Sequence, residues 1–60
     1  MNAVDVMTEA QKMVSALGPQ ALADATRKAR DMEERGDTAQ ARDWRRIAAA
    51  IDTLRGPRVS

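Results

Sequence analysis

An all-α fold is predicted for this 60-residue chain by three features: apolar residues recur at steps of three and four, glycines divide them into three stretches, and no segment shows the β-branched alternation of a strand. The expected architecture is a small three-helix bundle, a helical hairpin plus one preceding helix, with helices over about residues 3–17, 19–35 and 38–55. One domain over 1–56 and a loose C-terminal tail over 57–60 complete the expected organisation.

The first helix is read from Ala3, Val6, Ala10, Met13 and Leu17, a stripe that Met7 and Val14 widen, while Asp5, Glu9, Gln11, Lys12 and Ser15 fall elsewhere. Two caps compete for its start. Asn2 precedes the first periodic residue, and Thr8 with Gln11 forms a capping-box spacing one turn further on.

Gly18-Pro19 couples a stop to a start, because glycine accepts the left-handed conformation after a helix and proline suits the first position of the next. The second helix then carries a thin seam of Leu22, Ala25, Ala29 and Met32, which permits a neighbouring helix to approach closely. Its other faces are charged. Asp24–Lys28, Arg27–Asp31, Arg30–Glu34 and Asp31–Arg35 place opposite charges four residues apart, each pair contributing roughly 0.2–0.5 kcal/mol to a helix.

Gly36 ends this helix and Asp37 caps the third, with Gln40 three residues on in the capping-box position. So short a connection requires either an αα-hairpin or a corner. Trp44, Ile47, Ile51 and Leu54, with Ala41 and Ala48 beside them, make the most hydrophobic seam of the chain, and Gly56-Pro57 stops it. The large apolar side chains available for a core are Val4, Val6, Met7, Met13, Val14, Leu17, Leu22, Met32, Trp44, Ile47, Ile51 and Leu54. A core of this size gives limited stability on its own, which makes self-association an expectation.

The composition argues against catalysis. There is no histidine, cysteine or tyrosine, so the usual general bases, nucleophilic thiols and phenolic acids are missing and no catalytic triad can form. Ser15 has no candidate base beside it, and Glu33-Glu34 diverge as neighbours on a helix. No oxygen-ligand loop for a hard cation and no glycine-rich phosphate loop is present, so no catalytic, cofactor-binding or metal residues, no cofactor and no small-molecule substrate are expected. No run approaches the length of a membrane span, and the first residues lack the pattern of a secretion signal, so a cytoplasmic protein is expected.

A net charge of +1, divided into −1 over residues 1–35 and +2 over 36–60, creates no strong field for a polyanion. The function expected is therefore that of a small structural or protein-interaction module without activity, pairing with itself as a homodimer or with another protein. Its candidate contact residues are Val6, Met7, Met13, Val14 and Leu17 of the first helix together with Trp44, the single aromatic residue, which can serve either as core or as a binding anchor. The alternative is a nucleic-acid-binding regulator using Arg42, Arg45 and Arg46, with Arg55 and Arg58 further along. Asp43 and Asp52 dilute that patch, so nucleic acid is the less favoured partner.

From Ala10 to Leu54, roughly three quarters of the chain, the sequence resembles short alphaproteobacterial helical-hairpin proteins that carry a domain of unknown function. The resemblance lies in Leu17-Gly18, in Ala25, Arg27, Ala29 and Met32, in the Gly36-Asp37 turn, and in Trp44, Arg46-Ile47, Ala50-Ile51 and Leu54. It implies a compact hairpin preceded by a helix and brings no activity, cofactor or binding residue with it. The second and third helices also resemble one tetratricopeptide-type hairpin, a unit that needs about three copies to bury a continuous core, and this sequence holds no second copy.

Overall fold

A computed structural model describes residues 2–56 and shows the three-helix bundle: α1 (Ala3–Leu17), a 3-10 turn (Gly18–Gln20), α2 (Ala21–Glu34) and α3 (Thr38–Leu54). The side chain of Val4, Arg58 and the tail expected over 57–60 lie outside the described residues.

Asn2 is the cap that α1 uses. Its backbone is extended, and its side-chain oxygen accepts from the Asp5 N–H at 3.0 Å. Asp5 adds negative charge at the positive end of the helix. At the other end Gly18, at φ +58°, donates its N–H to the Val14 carbonyl.

The second helix starts later than the sequence suggests. Pro19 sits inside the 3-10 turn, whose carbonyl at Gly18 accepts from the Ala21 N–H, and the α-helix begins at Ala21 instead of residue 19. A fixed φ and a missing N–H suit a tight turn as well as a first helical position, and here the turn wins because the chain must change direction at once.

α2 ends in a Schellman motif. The Asp37 N–H reaches back to the Met32 carbonyl at 2.9 Å and the Gly36 N–H to Glu33 at 3.0 Å. Gly36 adopts φ +80°, a left-handed geometry in which an L side chain is strained. Asp37 then caps α3, its Oδ1 accepting from the Gln40 N–H at 3.0 Å. The connection therefore closes as an αα-hairpin, and α2 and α3 share the most extensive helix contact in the molecule.

α3 is the central element, since α1 packs chiefly on α3 and far less on α2. The core joins Val6, Ala10 and Met13 of α1, Ala21 and Ala25 of α2, and Ile47 and Ile51 of α3, with Val14, Leu22, Trp44, Ala48 and Ala50 half-buried against it. Ile47 and Ile51 are its largest fully buried side chains. Every buried residue of α2 is an alanine (Ala21, Ala25 and Ala29), so the hairpin is held by close backbone approach, with Ala41 buried on the facing helix. Among the described residues no buried polar side-chain atom lacks a hydrogen-bond partner.

Candidate interaction surface

The candidate contact residues of α1 divide into two sets. Val6 and Met13 belong to the core, 7% and 8% exposed, where they seat α1 on α3. Met7 and Leu17 face solvent at 38% and 41%, with Val14 half-buried between them. The periodicity explains the division. Val6, Ala10 and Met13 follow one seam at steps of four and three, whereas Met7 and Val14, seven residues apart, run along the flank beside it. Leu17 lies beyond the last buried residue of α1, where the helix gives way to the turn.

Leu54 corrects the reading of the third seam. Although it continues the Ile47–Ile51 spacing, it remains 38% exposed at the end of α3. In an αα-hairpin the C-terminal end of α3 returns to the level at which α2 begins, so Leu54 and Leu17 both lie at the end of the bundle that carries the α1–α2 bend. Helical phase alone marked Leu54 as inward, but it is the last residue of α3, at the end of the seam.

Trp44 is half-buried. One side of the indole packs on the core, and Nζ of Lys28 on α2 lies 4.9 Å from the ring centroid, a cation–π contact across the hairpin. Lys28 also reaches Asp24 Oδ2 at 3.3 Å, while Arg27 donates to Asp24 Oδ1 at 2.7 Å. Those two cations, Arg27 foremost, hold the Asp24 carboxyl below its ordinary value. Of the four expected i,i+4 pairs, Asp24–Lys28 and Asp31–Arg35 form, the latter at 3.2 Å, and Arg27 turns back to Asp24 in place of Asp31.

Arg42, Arg45 and Arg46 are all exposed on the outward side of α3, close enough in helical phase to form one patch. Arg45, however, reaches across to α2 and pairs with Glu33, tying the two helices of the hairpin together. That pair could not be read from either helix alone, because it depends on the hairpin register. Shallow grooves lie along the helices: Thr26, Ala29, Arg30, Glu33, Arg45 and Ala48 line one between α2 and α3; Asp24, Arg27, Lys28, Arg30, Asp31 and Glu34 line another on α2; Thr8, Gln11, Lys12, Ser15 and Ala16 line one on α1; and Glu9, Gln40, Asp43, Trp44 and Ile47 line one between α1 and α3.

Among the described residues no group of three or more histidine, cysteine, aspartate or glutamate side chains is placed to hold a metal ion, and no helix is long and apolar enough to cross a membrane. Compared with family models, curated proteins and solved structures, the chain matches none of them.

Proposed function

We propose that this protein is a non-catalytic structural or protein-interaction module that pairs with a second copy of itself through α1. The observation that carries this reading is the apolar surface that α1 leaves in solvent, Met7 on the flank beside half-buried Val14 and Leu17 at the exposed end of the seam that is otherwise spent on the fold. A thin alanine seam on α2 and a small core leave apolar surface on α1 that the single chain has no second layer to cover. An isologous contact between two such flanks buries each set of residues against its copy. The absence of histidine, cysteine and tyrosine from the chain supports a role without chemistry. The cytoplasm is the compartment this reading assigns.

Sedimentation velocity over a concentration series tests the pairing. The expected result is a shift from monomer to dimer that reaches completion by tens of micromolar; a single monomeric boundary throughout that range overturns it. The nucleic-acid reading has less support, because Arg45 is engaged with Glu33 and acidic residues interrupt the patch.

A further inference from the structure

α1 sorts its side chains by charge along two opposed stripes. Its three charged residues, Asp5, Glu9 and Lys12, follow steps of four and three, and each is followed two positions later by a member of a second stripe, Met7, Gln11 and Val14. Two residues turn an α-helix through about 200°, so the second stripe faces away from the first. It carries no charge, and its apolar members flank a central amide. Met7 and Gln11 are exposed, and Val14 is half-buried.

The chemistry of that stripe selects its occupant. A contact about a two-fold axis sets the residue at the axis against its own copy, which two carboxylates or two ammonium groups resist and a carboxamide accepts, because it both donates and accepts hydrogen bonds. We propose that Gln11 lies at the two-fold axis of an antiparallel pair of α1 helices, where the two amides hydrogen-bond and set the register of self-recognition. Antiparallel pairing about Gln11 brings Met7 of each copy close to the level of Val14 of the other, a long side chain beside a short one. It also sets the positive end of each helix beside the negative end of its copy. A parallel pair would set Met7 on Met7 and Val14 on Val14. One polar residue within an apolar contact gives up some affinity and specifies alignment, since a shifted register buries the amide without a partner. This inference rests on the reading of α1 as a self-pairing surface and adds the residue that aligns it.

The test is sedimentation equilibrium of the full chain and of Gln11→Glu and Gln11→Lys, each alone and the two mixed in equal amounts. The parent should pair, each variant alone should associate about tenfold more weakly, and the mixture should recover association to within about twofold of the parent. Orientation is read by oxidising an equimolar mixture of Met7→Cys and Val14→Cys chains, with no native cysteine to compete. Mass spectrometry should find the mixed disulfide above its statistical share. Full association by both Gln11 variants alone, or like-paired disulfides in excess, overturns the alignment while leaving self-pairing in place. A parent chain that stays monomeric overturns self-pairing and the alignment with it. Should the Gln11 variants lose their helical signal, the disulfide mixture, which keeps Gln11, decides the matter.

Discussion

The α2–α3 hairpin and α1 are held by different means. The hairpin closes through a three-residue turn, a Schellman motif, a capping aspartate, a seam of alanines, the Glu33–Arg45 pair and the Lys28–Trp44 contact, all within two helices consecutive in the chain. α1 docks through Val6, Ala10 and Met13, mainly on α3, and leaves a second apolar flank in solvent. A helix can be fully committed to a fold on one seam and still present another, because apolar residues spread over a wide arc supply more than one neighbouring helix can cover.

Removing the residue that serves both regions should have the largest effect. Ile47→Ala deletes a fully buried side chain at the centre of the core and should cost about 2–5 kcal/mol, enough to unfold much of so small a domain, as urea denaturation will show. Met13→Ala should separate the two regions. It empties the seat of α1 at a cost of about 2–4 kcal/mol, and amide exchange should rise first along α1 while the hairpin keeps its protection. Equal loss of protection in all three helices would show that they open as one unit.

Gly36→Ala should act on the hairpin alone. An added Cβ meets no atom within 4 Å, so the cost comes from the left-handed φ of +80° and should be about 1–2 kcal/mol, measurable as a lowered melting temperature.

The smallest expected effect is the pH response of Asp24. Arg27 and Lys28 lower its carboxyl in the folded chain, whereas in the unfolded chain it returns to the ordinary aspartate value. Between those two values the unfolded state binds more protons, so stability rises with pH there. The contribution is complete above the unfolded value and is lost as pH falls through the folded one. Thermal melts from about pH 6 to about pH 2 should show a shallower acid decline for Asp24→Asn than for the parent chain.

Local chemistry made most of the fold legible. Asn2, Gly18-Pro19, Gly36-Asp37 and Gly56 punctuate the chain with residues whose backbone preferences act over one turn, and the observed helix ends fall within two residues of those expected. The same reasoning was silent on what depends on distant alignment. Leu54 keeps perfect phase with Ile51 yet lies exposed, because burial requires a neighbour as well as a direction. Glu33–Arg45 and Lys28–Trp44 depend on the register of the hairpin, and the choice of Arg27 between Asp24 and Asp31 depends on a rotamer. The candidate surface was legible by half: helical spacing grouped Val6, Met7, Met13, Val14 and Leu17 on one broad stripe, but only the position of α3 decides that Val6 and Met13 face inward while Met7 and Leu17 remain outside.

The uncovered flank of α1 is best tested by comparing the parent chain with a Met7→Ser, Leu17→Ser double variant in sedimentation equilibrium, each sample paired with a circular-dichroism melt at low concentration. Both positions are exposed, so the variant should keep the helix content and dilute-solution melting temperature of the parent and lose its self-association by at least tenfold. A variant that associates as strongly as the parent would show that this flank is not the contact.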